Sequence, residues 1–266
     1  MKLKNKVVLV TGGALGFKTG GPSIGSAIAI KFAIEGAKVV VVDVLEEMGQ
    51  KTVDIINERG GEGLFVKTDV RKTDEVKKSI EITIKRFKML HTLVNCAASY
   101  EGDIFRNIVE IPEKDWNHII DVNLNGYFRF AKYSIPVILK SGGGTIINIS
   151  SMAAFKVVPN FSVYPVTKAA INALTRTLAI DFAPQIRTNA ICPGFVKIAN
   201  SERDRNPEEL KEWYSIIGRT YPLKRVCTVA EIANTALFLA SDDSSFINGE
   251  CLVVDGGRSV SDSHKF

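Results

Sequence analysis

A chain of 266 residues, 45% of them hydrophobic, can bury a sizeable core as one domain. Its apolar runs, such as 7–10 and 39–42, are far shorter than the roughly 20 residues that span a bilayer, and Met1-Lys-Leu-Lys-Asn-Lys6 has no apolar leader core, so a cytoplasmic protein without a membrane partner is expected. The 34 basic and 29 acidic residues, net +5, are scattered without a basic run, which argues against nucleic acid as a partner.

Short β-branched runs alternate with segments of helical period. Lys6–Val10 reads as the first buried strand, followed by Thr11-Gly-Gly-Ala-Leu-Gly-Phe17. Ser23-Ile24-Gly25 then opens a helix that runs to Glu35. Glycines here let a turn tighten and let backbone N–H groups approach a pyrophosphate at the helix N-terminus. An extra stretch, Lys18–Ile24, separates Gly16 from Gly25, and two readings stay open. Either Gly12 and Gly16 keep their usual roles with an insertion before Gly25, or Gly12 and Gly25 act and Ser23 replaces the middle glycine. Lys18 could reach a phosphate in both, or remain a solvated lysine.

The next strand, Ala37–Asp43, closes on a carboxylate. Asp43 can accept hydrogen bonds from both ribose hydroxyls and repel a 2′-phosphate, which predicts NAD rather than NADP. Gly63–Val66 and Thr92–Cys96 read as strands around a helix over Thr73–Phe87, and Glu113–Leu139 as one long helix. The strand Gly144–Ile149 runs out at Ser150 and Ser151, whose side chains alternate to opposite faces.

In the helix Val163–Phe182, Tyr164 and Lys168 are i and i+4, so phenol and ammonium converge on one face. A phenol titrates near pH 10, and an adjacent cation lowers that, each unit corresponding to about 1.4 kcal/mol. A tyrosine so tuned exchanges a proton with a carbonyl or alcohol oxygen. Thr188–Ile191 is another strand. The polar segment 194–225, with a short helix over 207–217, breaks the pattern and is the candidate substrate lid. The helix Val229–Ala240 and the strand Cys251–Val254 follow. The alternation predicts a single-domain Rossmann-type doubly wound parallel sheet of about seven strands flanked by helices, with ligands beyond the strands' carboxyl ends.

The four cysteines, Cys96, Cys192, Cys227 and Cys251, and the histidines His91, His118 and His264 have no metal-ligand or disulfide spacing, so no metal is expected.

Over nearly its whole length the chain resembles a short-chain dehydrogenase/reductase. Thr11-Gly12 and Gly25 resemble that family's glycine loop, Asp69-Val70 its adenine contact, and Asn95-Cys-Ala-Ala98 its Asn-Asn-Ala-Gly motif. Asn123 resembles its catalytic asparagine, Pro193-Gly194 its turn over the nicotinamide, and Asp255-Gly-Gly257 its C-terminal signature. The resemblance implies Tyr164 as acid/base, Lys168 on the nicotinamide ribose and lowering the phenol pKa, Ser151 orienting the carbonyl oxygen and Asn123 supporting a proton-relay water. It further implies cofactor contacts at Thr11, Gly12, Gly16, Ser23, Ile24, Gly25, Asp43, Asp69, Val70, Asn95, Ala97, Tyr164, Lys168, Pro193, Gly194 and Val196. A homotetramer or dimer built through the long helices and the C-terminal strand is also implied.

Three positions depart from the pattern. Ala98 replaces a glycine, Cys96 an asparagine, and Ile198 a threonine that often binds the carboxamide, leaving that contact to the Val196 backbone or another group. The expected substrate wall, Ser99–Glu101, Met152–Lys156, Asn160, Phe195 and the lid, mixes aromatics with Glu101, Lys156, Lys197, Arg203 and Arg205. That composition favours a sugar, polyol or small hydroxy acid over an apolar steroid. Interconversion of a secondary alcohol and a carbonyl is therefore expected. A 3-oxoacyl-thioester reductase or, less so, an enoyl reductase is the alternative, since Ser23-Ile24 resembles the enoyl enzymes' stretched loop while Lys168 at i+4 does not. A non-catalytic nucleotide-binding subunit is the third.

Overall fold

The computed structural model describes residues 1–16, 20–198 and 205–261. Strands β1 (Val7–Thr11), β2 (Lys38–Asp43), β3 (Glu62–Lys67), β4 (Thr92–Asn95), β5 (Gly144–Ile149), β6 (Ile186–Pro193) and β9 (Cys251–Val254) form one parallel sheet in the order β3-β2-β1-β4-β5-β6-β9. Two short strands, β7 (Val196–Lys197) and β8 (Cys227–Thr228), pair beside it. The helices are α1 (Ile24–Ile34), α2 (Glu46–Glu58), α3 (Thr73–Phe87), α4 (Glu113–Ile120), α5 (Gly126–Lys140), α6 (Val163–Asp181), α7 (Pro207–Arg219) and α8 (Val229–Ala240).

Successive strand residues point to opposite faces, and β1 divides its side chains accordingly. Val8 and Val10 join Ile28 and Phe32 of α1 and Ile232 and Leu237 of α8 on one face. Val7 and Leu9 join Val76 and Ile80 of α3 and Phe130 and Ile135 of α5 on the other. Chain order reverses between β1 and β4, and there the strand ends open a crevice.

Two elements differ from expectation. α2 was not anticipated, because its outer face is charged and its inner face is built on Gly49, Thr52, Val53 and Ile56. Gly49 is needed there: a Cβ would lie 2.1 Å from the Phe65 ring. The long helix expected over 113–139 is interrupted by a π-helical turn, Asp121–Asn125, which carries Asn123 into the interior at 0% exposure.

Candidate active site

Tyr164 and Lys168 lie one turn apart on α6, both buried, with the Lys168 Nζ 5.4 Å from the centre of the Tyr164 ring. Lys168 Nζ donates to the Ile149 carbonyl at 2.8 Å, and the Tyr127 hydroxyl donates to the same oxygen at 3.0 Å. Ile149 ends β5, so Ser151 emerges two residues on, beside this group. Its Oγ caps the short turn Met152–Ala154, accepting from Ala153 N at 3.1 Å. Ser150 faces away, donating to the Lys168 carbonyl at 3.0 Å.

Burial acts on the two titrating groups from opposite sides. It pushes the Tyr164 phenol above its ordinary value, and the nearby hydroxyls of Tyr100 and Ser151 pull it only partly back. It pushes the Lys168 ammonium down to about 8. The expected net lowering of the phenol by Lys168 is therefore not what the structure has, because desolvation is the larger effect. Burial thus disfavours each charge, the phenolate as well as the ammonium.

Asn123 has both amide atoms on one residue. Its Oδ1 accepts from Ser99 N at 2.7 Å and its Nδ2 donates to Ser99 O at 3.2 Å. With one lone pair and one N–H used on Ser99, the side chain pins the loop after β4 and keeps a second lone pair and a second N–H. Ser99 is held a third time by His118, whose Nε2 lies 3.1 Å from its Oγ. Arg71 Nη1 sits 3.3 Å from His118 Nδ1, and a guanidinium only donates, so the network places the neutral ring's proton on Nε2. Tyr127 and His118 were not singled out in the sequence. Tyr127 lies four residues after Asn123, a helical spacing that could have flagged it.

At the nucleotide end, Gly12 has φ +65°, and a Cβ on it would lie 2.7 Å from the Ala97 Cα. A Cβ on Gly25 would lie 2.1 Å from the Gly12 carbonyl, so the start of α1 rests directly on the turn. Ser23 spans the gap, its Oγ donating to Ala14 O at 2.7 Å while forming a capping box with Ser26. Gly16 instead closes the inserted stretch: its N–H donates to Gly21 O at 2.8 Å and its carbonyl accepts from Gly20 at 3.0 Å. The N–H groups of Ser26 and Ala27 are used by Ser23, and those of Ile24 and Gly25 have no partner among the described residues and can serve as first-turn donors to a ligand.

Asp43 receives Ala14 N at 3.0 Å on one carboxylate oxygen and Leu45 N at 3.1 Å on the other. Each oxygen keeps acceptor capacity for a ligand hydroxyl. Burial raises its pKa, against the pull of those N–H bonds.

Several expected contacts are committed to the protein itself. The Thr11 hydroxyl accepts from Cys96 N and Ala97 N, at 3.0 and 3.2 Å, locking β1 to the end of β4. Asn95 Nδ2 donates to Asn148 Oδ1 at 3.0 Å deep in the sheet. Arg71 holds the Asp69 carboxylate well below the usual carboxylate range, and Val70 packs on Gly126. Gly194 N donates to Val254 O at 3.0 Å, tying the turn after Pro193 to β9, and Val196 enters β7. Ala98 does not have a positive φ, so replacing glycine there costs little. The Cys96 thiol, pushed up to about 12 by burial, is inert.

The surrounding wall is more aromatic than expected. Phe105, Phe161, Tyr164 and Tyr100 stack in a row with centroid spacings of 5.0, 5.0 and 4.9 Å. Phe195 packs edge-on to Trp213 of α7 at 5.1 Å, and the Arg205 guanidinium lies 4.0 Å from the Trp213 ring centre. Lys156 turns away to the carbonyls of Arg258 and Ser261, at 3.4 and 3.3 Å. Phe17, Lys18, Arg203 and residues 199–204 of the expected lid lie outside the described residues.

The family model described as enoyl-(acyl carrier protein) reductase matches residues 20–259. An uncharacterized oxidoreductase of Thermotoga maritima is 39% identical over 266 residues, covering 98% of this chain and 100% of that protein. A cyclohexanol dehydrogenase of an Acinetobacter species is 34% identical over 256 residues, covering 96% and 95%. The ligand-free structure of Thermoplasma acidophilum aldohexose dehydrogenase superposes with a TM-score of 0.85 at 34% identity, covering 98% of this chain and 96% of that one.

Proposed function

We propose, from the premise that the chain belongs to the short-chain dehydrogenase/reductase family, that it interconverts a secondary alcohol and its ketone with NAD on a ring-shaped substrate, a sugar or a carbocyclic alcohol. As a member it is an oxidoreductase acting on CH–OH groups. The observation that carries the reading is the convergence of Tyr164, Lys168 and Ser151 around the end of β5.

The cradle suits a dinucleotide. Of the two readings of the loop, Gly12 with Ser23 and Gly25 is favoured, because Gly16 is occupied in closing the insertion. The pyrophosphate would meet the Ile24 and Gly25 N–H groups, and Asp43 would take the ribose hydroxyls, in keeping with NAD over NADP. The Thr11 and Asn95 side chains shape this cradle from within rather than touch the ligand. The bound nicotinamide supplies the hydride acceptor or donor.

The chain's own residues supply the proton chemistry. In oxidation the Tyr164 phenolate takes the hydroxyl proton as the hydride leaves the carbinol carbon; in reduction the phenol returns it to the carbonyl oxygen. Ser151 Oγ holds that oxygen, and Lys168 keeps the phenolate paired. The aromatic row offers flat faces to a ring, as cyclohexanol and aldohexose, the substrates in two similar proteins' names, would present. Segment 194–225, anchored through Phe195 and Trp213, would close over it.

Hydride transfer assayed with NAD and NADP across cyclic alcohols, aldoses, polyols and hydroxy acids tests this, with Tyr164→Phe expected to lose at least a hundredfold in kcat. Turnover of none of these by the wild type would remove the reading. A relative from Thermotoga maritima, 34% identical over 263 residues and named a 3-oxoacyl-[acyl-carrier-protein] reductase, keeps 3-oxoacyl-thioester reduction as a second reading, and acyl thioesters belong in the same panel.

No helix among the described residues is long and apolar enough to cross a membrane. Four free cysteines support a reducing, cytoplasmic setting. Exposed Phe128 and Leu139 on α5 and Val166 and Ile180 on α6 support assembly with further copies of the chain.

A further inference from the structure

We propose that Tyr127 is a positioning residue for the active-site lysine, its ring face holding the Lys168 ammonium charged and in place. The inference rests on Lys168 acting beside Tyr164, and it goes beyond that reading by assigning what supports a buried cation that no carboxylate pairs. Lys168 Nζ lies 5.5 Å from the centre of the Tyr127 ring and 5.4 Å from that of Tyr164. It donates to the Ile149 carbonyl at 2.8 Å, and the Tyr127 hydroxyl donates to the same oxygen at 3.0 Å. One side chain therefore meets the ammonium through its ring and shares its acceptor through its hydroxyl.

Both side chains are sealed from water, Tyr127 at 1% and Lys168 at 2% exposure. The titratable groups that face Lys168 are Tyr164 on its own helix, Tyr127 on α5, Cys96 at the end of β4 and Cys192 on β6, and none is a carboxylate. One carbonyl and two ring faces are thus what the described residues offer the cation. An aromatic ring is negative at its face, and a desolvated cation above it gains more than an exposed one.

The two rings do not offer the same support. Tyr164 gains and loses a proton in the proposed reaction, so its attraction for Lys168 changes during turnover. Tyr127 stays neutral: its hydroxyl is tied to the Ile149 carbonyl, and burial pushes its phenol well above the ordinary value. Its ring is the constant partner. Tyr127 arrives in the first turn of α5, directly after the π-helical turn that buries Asn123, so one stretch of chain delivers both side chains to the interior. The Ile149 oxygen has room for two donors, and loss of the Tyr127 hydroxyl leaves it to Lys168 alone. Loss of the ring removes something that no other described group replaces.

Pentafluorophenylalanine in place of Tyr127 keeps a ring of similar shape and reverses the charge at its face; Tyr127→Phe is its reference, and Tyr127→Leu has no ring. NMR titration of isotope-labelled lysine, read at Cε, follows Lys168 without turnover, its signal identified by its loss in Lys168→Met. Wild type and Tyr127→Phe should titrate at nearly the same pH, and the pentafluorophenylalanine and leucine proteins about one pH unit lower. Reduction of cyclohexanone by NADH requires the Tyr164 phenol and the Lys168 ammonium both protonated, so its kcat/KM falls as pH rises through the Lys168 titration. That fall should begin about one unit lower in the same two proteins. A pentafluorophenylalanine protein whose lysine titrates with that of Tyr127→Phe overturns the proposal. So does a Tyr127→Phe titration displaced as far as that of Tyr127→Leu, because the hydroxyl and not the ring would then be responsible. A lysine titration that moves as expected in a protein reducing no ketone leaves the Tyr127 contact standing and removes the dehydrogenase reading instead. Thermal unfolding identifies a folding loss in Tyr127→Leu, and the comparison of the two ring variants decides without it.

Discussion

Lys168 is buried to 2% exposure with one hydrogen bond at its ammonium, and the cost of that arrangement is measurable. In the unfolded chain the lysine holds its proton up to about 10.5, in the folded chain only to about 8. Between those values the unfolded state binds more protons, so stability rises with pH across the window, and below it the full penalty, roughly 3 kcal/mol, applies. Lys168→Met removes the charge, and the Ile149 carbonyl still receives the Tyr127 hydroxyl. The variant should therefore unfold at a higher temperature than wild type at pH 7 while losing turnover, and the advantage should shrink between about pH 8 and 10.5. Equal pH dependence of unfolding in the two proteins would contradict this account. Tyr164, Lys168 and Ser151 were legible as residues from helical spacing and a strand end, but the direction of the phenol's shift was not. Charge proximity can be read from i and i+4; desolvation depends on Tyr127, Tyr100 and Cys96, which arrive from other parts of the chain.

Among the elements, the junction of α1 with the turn after β1 has the least room. An alanine Cβ at Gly25 would meet the Gly12 carbonyl at 2.1 Å, a backbone atom that cannot swing aside. Gly25→Ala should lower stability by about 1–3 kcal/mol in urea unfolding and weaken NAD binding in a fluorescence titration at least tenfold, since the Ile24 and Gly25 N–H groups move with the helix. Affinity equal to wild type would show that pyrophosphate is not held there. The sequence placed the strands and most helices within a few residues because buried parallel strands are continuous apolar runs. It missed α2, whose buried stripe is made of a glycine, a threonine and two aliphatic residues that read as polar on average. It also read α4 and α5 as one helix, because nothing local to Asp121–Asn125 signals a π turn; the interior clamp on Ser99 is what that turn delivers.

At the scale of the whole molecule, α6 buries Tyr164, Lys168, Ile171, Thr175 and Leu178 and exposes Val166, Ala169, Ala173, Thr177 and Ile180 at helical spacing. A stripe of small and apolar residues on the outside of a catalytic helix fits close packing against another helix. With α5 presenting Phe128 and Leu139, association of copies is expected. Sedimentation of the wild type should give an oligomer, and Ile180→Asp with Phe128→Asp should give monomers of reduced activity, since α6 carries the acid/base on its inner face. A wild-type monomer at micromolar concentration would rule the assembly out.

The position of β9 sets the order in which competence can arise during synthesis. Residues 1–95 already contain β1 to β4 and the dinucleotide cradle, whereas β6 gains its second neighbour, and the turn at Gly194 its anchor on Val254, only when β9 has been made. A chain still on the ribosome can thus acquire a nucleotide-shaped crevice long before it can perform chemistry, and the reactive end of the crevice is completed only once β9 has emerged.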